Sequence, residues 1–137
     1  MSRIKLLVVD DEADFLKLVK RRLERRNFAV EVASGGAEAL RFLSANPVDV
    51  VILDVRMPGM SGMDALKHMR RKHSEVEVIM LTGHSSVASG LEGISHGAYD
   101  YILKPFEIDD LIERIRSAYE HAVLKREGGG ENVRSGS

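Results

Sequence analysis

The chain has 137 residues, 44% of them hydrophobic and 30% charged, with a formal net charge of −1 at pH 7. That length holds one domain around one core, and so small a net charge gives no general field toward nucleic acid or anionic lipid, so direct nucleic-acid binding by this domain is not expected. The absence of cysteine excludes disulfides, thiolate metal sites and a cysteine nucleophile.

No apolar run approaches the length needed to span a bilayer. The N-terminus runs directly into a strand-like segment without a signal-peptide core. A cytoplasmic location with no membrane partner is therefore expected.

The first element, Ile4-Lys5-Leu6-Leu7-Val8-Val9, is a short apolar strand that stops at the pair Asp10-Asp11. A helix follows, with Phe15, Leu16, Val19 and Leu23 on one face at a 3.6-residue period and Lys17, Lys20, Arg21, Arg22, Glu24 and Arg25 largely opposite. The cluster Arg21, Arg22, Arg25 and Arg26 reads as a solvated helix face. Phe28 to Ala33 is a second strand, Ser34-Gly35-Gly36 breaks it, and Ala37 to Leu43 is a short helix ending before Pro47.

Val48 to Leu53 is nearly continuous apolar sequence, as expected of a central strand covered on both faces, and it stops at Asp54. The stretch from Asp54 to Gly62 reads as a loop, because it holds one proline and two glycines. A helix with Leu66 and Met69 inward leads to the strand Glu77 to Leu81, which stops at Thr82. Ser85 to Ser95 reads as a weak helix, since Gly90, Gly93 and its serines each lower intrinsic stability.

Tyr99 to Leu103 is the last strand and stops at Lys104; Ile108, Leu111, Ile112, Ile115 and Ala118 give the last helix an apolar stripe. From residue 125 onward, Gly128-Gly129-Gly130 and the polar residues after it lack apolar periodicity and read as a flexible tail or truncated linker. The domain is then expected at 3–124. Five successive β-α units predict an α/β fold, with a parallel sheet covered by helices on both faces.

The polar residues that end the strands carry the chemistry. In open α/β sheets the carboxyl ends of the strands line the ligand site, and there Asp10, Asp11, Asp54, Thr82 and Lys104 would meet. Magnesium is usually held by one or two carboxylates together with waters and phosphate oxygens. Asp11 and Asp54 suit that role, with Asp10 as a direct or outlying acceptor and the backbone carbonyl of Arg56 completing the set. A carboxylate is also a nucleophile toward phosphorus, and Asp54, ending the most central strand, is the candidate acceptor. Mg2+, the Lys104 ammonium, and the Thr82 hydroxyl with the Gly83 amide could each neutralise one phosphoryl oxygen.

Taken singly, each of these residues has an ordinary explanation: an aspartate after a strand is often a helix cap, and a threonine before glycine often a capping hydroxyl. One such group per successive strand end is not explained that way. The Lys104-Pro105 bond admits either isomer. His68, His73, His84, His96 and His121 lack metal-ligand spacing and read as surface residues, with His84 at the site rim.

The segments Val-Val-Asp10-Asp11-Glu12, Leu-Asp54-Val-Arg-Met-Pro58-Gly59-Met-Ser-Gly62, Leu-Thr82-Gly83-His84, Gly97-Ala98-Tyr99-Asp100-Tyr101 and Lys104-Pro105-Phe106 together resemble the receiver domain of bacterial two-component response regulators. The resemblance covers about residues 3 to 124. It implies a flavodoxin-like doubly wound sheet of five parallel strands in the order 2-1-3-4-5 with five helices. It further implies Mg-dependent phosphoryl acceptance by Asp54 from a sensor histidine kinase or phosphotransfer protein, metal-site roles for Asp10 and Asp11, a phosphate contact by Lys104, and switch roles for Thr82 and Tyr101. The implied partners downstream are another protein or an effector domain absent from this chain, with room for a dimer formed on phosphorylation. The segment from Leu-Thr-Gly-His to Lys-Pro-Phe looks most like receivers attached to transcriptional activators.

Phosphorylation of Asp54 would add acceptors beside Thr82, draw its hydroxyl over and free space for Tyr101 to turn inward. The responding surface would be the weak Ser85–Ser95 helix with the last strand and last helix. Such a chain is a phosphoacceptor with self-phosphorylating and self-dephosphorylating chemistry rather than an ordinary enzyme. A small-molecule phosphohydrolase would need a general acid where Arg56 stands, and a cap for which there is no length. A flavin carrier would need a phosphate loop that is missing. The remaining alternative is a phosphorylation-independent receiver-like binding platform.

Overall fold

The computed structural model describes residues 3–83 and 87–135, with side chains through residue 127. In chain order the elements are β1 (Lys5–Val9), α1 (Ala13–Glu24), β2 (Ala29–Ala33), α2 (Gly36–Ala45), β3 (Val50–Asp54), α3 (Gly62–Lys72), β4 (Glu77–Gly83), α4 (Val87–Ser95), β5 (Asp100–Lys104) and α5 (Ile108–Ser135). His84 and Ser85, read from sequence as a rim residue and a helix start, lie outside the described residues. The strands form one parallel sheet in the order β2-β1-β3-β4-β5. Among the described residues no helix is long and apolar enough to cross a membrane.

The two-residue period of the strands divides the core into two layers. Leu6 and Val8 of β1, Ile52 of β3 and Ile79 and Leu81 of β4 face α1 and α5, where Leu16, Val19, Leu23, Leu111, Ile112 and Ile115 meet them. Leu7 and Val9, Val51 and Leu53, and Val78 and Met80 point the other way, onto Ala39 and Leu43 of α2 and Ala65, Leu66 and Met69 of α3. Every residue of β3 is buried, which is why its sequence is continuously apolar rather than alternating.

Two local features position the loop after β3. The Ser61 side chain caps α3 by accepting the Asp64 N–H at 3.1 Å. Gly62 opens that helix directly against the strand end: a Cβ there would lie 2.0 Å from the Asp54 carbonyl oxygen. Only glycine permits so close an approach.

The strand ends extend further than the sequence suggested. Asp54, Thr82 and Lys104 are themselves paired in the sheet, through the registers Asp54 with Leu81, Thr82 with Leu103 and Gly83 with Lys104. A polar side chain at a strand end interrupts the apolar pattern but not the backbone ladder. Helix α5 also continues past residue 124, with helical backbone through Ser135, into the segment expected as a flexible tail or truncated linker. Lys125 helps carry it there, donating to the Ser74 carbonyl at 2.8 Å and pairing with Glu77 at 2.9 Å, while Arg126 reaches Asp49 at 3.4 Å.

Leu111 is fully buried between α5 and the sheet, whereas Leu124 is 66% exposed. Leu111→Ala should cost about 2–5 kcal/mol in urea denaturation, and Leu124→Ala no more than about 0.5 kcal/mol.

Candidate functional site

The carboxyl edge of the sheet collects most of the buried polar side chains. Asp10, Asp54 and Thr82 are all buried there, while the fourth buried polar residue, Glu77, lies at the opposite edge. Because Val9 pairs with Leu53 across the β1–β3 ladder, the residues that follow, Asp10 and Asp54, are neighbours. Asp10 continues past β1 with its N–H donating to the Ala33 carbonyl at 3.2 Å. Its Oδ1 accepts the Glu12 N–H at 2.9 Å, and its Oδ2 accepts from Lys104 Nζ at 2.7 Å.

Asp11 is exposed, at the mouth of the site. Asp10, Asp11 and Asp54 each offer a carboxylate oxygen, and those three oxygens lie within 4.8 Å of one another. Arg56 sits beside them and, with Asp11, Met57, Pro58 and Ser61, lines an open pocket. Its backbone N–H hydrogen-bonds the Asp54 carboxylate.

Lys104 faces this group with its ammonium. Besides Asp10 it approaches Asp54 Oδ1 at 3.9 Å and Glu12 Oε1 at 3.8 Å. The Lys104–Pro105 peptide is cis. On its other side the ammonium lies 4.3 Å from the centroid of the Phe15 ring, a cation–π contact. Phe15 in turn meets Phe106 edge-on at 6.2 Å. The sequence marked Phe15 as a core-facing helix residue; only the fold brings it under Lys104.

Thr82 Oγ1 is buried and has no hydrogen-bond partner among the described residues. A buried hydroxyl in that condition costs free energy. Tyr101, half-buried in β5, packs on the α2–α3 side of the core with its ring over Gly90. The surface reading of the histidines needs one amendment. His121, though half exposed, holds buried Glu77 through Nδ1 at 2.6 Å. In the basic cluster at the end of α1, Arg26, just past the helix, is committed to Asp109 at 2.7 Å.

The electrostatics are those of a site short of positive charge. Asp54 is pushed up to about 6 from its ordinary value of 3.8, first by burial and then by the Asp10 charge, with Asp11 adding to it; Lys104 and the Arg56 N–H pull it back without cancelling the rise. A hard divalent cation taking these carboxylate oxygens would supply the missing charge, and the all-oxygen donor set fits Mg2+.

The sequence profile of the response regulator receiver domain matches residues 6–116. The uncharacterized transcriptional regulatory protein YkoG of Bacillus subtilis is 35% identical over 127 residues, which cover 93% of this chain and 56% of that one. A putative NtrX-like response regulator of Rickettsia bellii is 37% identical over 93% of this chain and 27% of its own length. The chain thus spans about half of the first relative and about a quarter of the second. Among solved structures, a response regulator receiver domain from Clostridium thermocellum superposes with a TM-score of 0.84 at 37% identity, covering 88% of this chain and 98% of that one. NtrX from Brucella abortus, in complex with ADP, superposes with a TM-score of 0.88 at 34% identity, covering 94% of this chain and 30% of that one.

The raised Asp54 value has a sign. Since the folded protein holds this carboxyl's proton more tightly than the unfolded chain does, the cost of ionising it is absent below pH 4, grows between pH 4 and 6, and is fully present above. In EDTA at pH 7.5, Asp54→Asn should therefore stabilise the protein by about 1–3 kcal/mol. The gain should vanish at pH 4, as read by urea denaturation at the two pH values.

Proposed function

The chain belongs to the response regulator receiver domain family of two-component systems, and we propose that it works as a phosphorylation-controlled signalling module in which Asp54 is the phosphoacceptor. The observation that carries this reading is the juxtaposition at the sheet's carboxyl edge: Asp54, with Asp10 and Asp11 close enough to share a cation and Lys104 Nζ at 3.9 Å. On the adjoining strand stands the buried Thr82 hydroxyl, which has no hydrogen-bond partner among the described residues.

Mg2+, held by Asp10, Asp11, Asp54 and the Arg56 carbonyl, would neutralise phosphoryl oxygens and allow the acidic group to ionise together. Asp54 Oδ attacks phosphorus, forming a P–O bond as the bond from phosphorus to the donor's histidine nitrogen breaks. Lys104, already at the carboxylates, contacts a phosphoryl oxygen and leaves part of its bond to Asp10 to do so. The Thr82 hydroxyl, without a partner among the described residues, turns toward the phosphoryl group and donates to one of its oxygens, and Tyr101 responds on the α4 side. Those are the steps by which acceptance of a phosphoryl group becomes a change of surface over α4, β5 and α5.

The donor, a sensor histidine kinase or phosphotransfer protein, has a place to dock. Phe15, Leu18, Val19, Pro105, Phe106 and Ile108 line an apolar groove that adjoins Lys104. A partner seated there would lie next to the acceptor. Downstream, similarity to proteins named as transcriptional regulators, over only part of their length, supports control of an effector domain or separate partner by residues 3–124, with the segment from 125 as the connection.

Incubation with acetyl phosphate and Mg2+ should give one phosphoryl adduct by intact mass, lost in Asp54→Asn and in EDTA. Lys104→Ala should slow its formation on the order of 100–1000-fold. No adduct under any condition would sink the reading and leave a phosphorylation-independent binding platform.

A further inference from the structure

Helix α4 is built inside out. Its buried positions are Gly90 and Gly93, whereas Val87, Leu91 and Ile94 are 40%, 57% and 39% exposed. These three apolar residues fall at i, i+4 and i+7 and so form one outward stripe. In α1, α3 and α5 large apolar residues such as Leu16, Val19, Leu66, Met69, Leu111 and Ile115 face the sheet. With nothing beyond hydrogen on its glycines, α4 sits on the sheet by close backbone approach, and side chains of the sheet fill the room the glycines leave.

Two such side chains are cross-strand neighbours: Met80 of β4 pairs with Tyr101 of β5. A Cβ on Gly93 would lie 2.8 Å from Met80 Cγ. One on Gly90 would lie 2.5, 2.6 and 3.0 Å from Cδ2, Cγ and Cε2 of Tyr101, inside the ring's own contact radius. Adjacent notches on one helix thus receive adjacent side chains of the sheet. Thr82 lies two residues after Met80 in β4, so its side chain leaves the same face of the sheet.

We propose that Gly90 is a positioning residue of the switch: the notch left by its missing side chain seats the Tyr101 ring, so that the ring's rotamer and the placement of α4's exposed Val87–Leu91–Ile94 stripe change together. The role assigned to Tyr101 as part of a switch rests on the Asp54–Thr82 reading above; the coupling of ring and helix is measurable without any phosphoryl donor. It makes a glycine the reason why a motion at β5 is felt on the outer surface of α4. A ring resting on a helix by way of a side chain could turn while that side chain adjusted. A ring resting on bare backbone cannot turn into or out of the notch without changing what the helix sits on.

The test is a four-member cycle of the full chain: the parent, Gly90→Ala, Tyr101→Ala and the double variant, each without phosphodonor. NMR reads the Tyr101 ring and the amides of Val87–Ser95, and thermal unfolding reads the midpoint. Gly90→Ala should move the Tyr101 ring resonances and the α4 amides and lower the midpoint. In the Tyr101→Ala background the same substitution should raise the midpoint, because alanine is the better helix former once no ring occupies the notch. Should Gly90→Ala fail to fold, Tyr101→Ala alone must still shift the α4 amides. Unchanged Tyr101 ring resonances in Gly90→Ala, an equal loss of midpoint in both backgrounds, or α4 amides indifferent to Tyr101→Ala would each overturn the proposal. Intact mass after acetyl phosphate and Mg2+ is the separate arm: absence of an adduct in the parent rejects the Asp54 reading, while the coupling of ring and helix still stands or falls by the four-member cycle.

Discussion

Three carboxylates held within 4.8 Å of one another, with one lysine already drawn to the most buried of them, are the constraint on which this molecule turns. Left to itself such a group would spread apart or stay protonated. The sheet prevents the first, because Asp10 and Asp54 follow residues paired in one parallel ladder and cannot separate without breaking it. The second is visible in the tightened hold of Asp54 on its proton, which burial strengthens first and the Asp10 and Asp11 charges strengthen further. The unrelieved repulsion is a standing demand for positive charge, and it fits a cation and a phosphoryl group arriving together. The packing of β3 on both faces is what makes the demand enforceable, since a strand buried along its whole length has no room to yield.

The opposite edge of the sheet shows what a satisfied acidic residue looks like. Glu77 is buried like Asp10 and Asp54, yet His121 at 2.6 Å, Lys125 at 2.9 Å and Arg70 at 3.9 Å surround it. Those partners come from α3 and α5 and tie both helices to the start of β4. Charge there is matched and serves cohesion; at the carboxyl edge it is left in deficit. The same contrast holds for hydroxyls: the Ser61 side chain has its N–H to accept, while that of Thr82 has no partner among the described residues. A buried hydroxyl without a partner is costly, and Thr82 stands at the same edge as the crowded carboxylates, which separates the part of the protein built to change from the part built to stay.

Much of this was legible in the chain. Apolar runs of strand length alternating with helical periodicities set the five β-α units, and Asp10, Asp11, Asp54, Thr82 and Lys104 stood out because each interrupts such a run at its end. Pattern reading placed some boundaries differently: the strands include their terminal polar residues, since backbone pairing is indifferent to side-chain polarity, and α5 runs on past 124 into the segment expected as a flexible tail or truncated linker, with Lys125 and Arg126 finding partners at the far edge of the sheet. Phe15 and Gly90 could not be recognised, because an aromatic on an apolar helix face and a glycine in a weak helix have many ordinary explanations.

The sequence by itself determined the class of fold, the order of its elements and the residue types at the strand ends, because those depend on periodicity and on interruptions within a few residues of each other. The tertiary structure alone decided that the strand-end groups share one small volume, that Lys104 rests on Phe15, that Glu77 is enclosed by three cations or potential cations, and that Tyr101 sits on a bare stretch of helix. Each of those is a relation between segments far apart in the chain, set by sheet register and layer packing. No local pattern encodes a distance that only the closing of the core defines.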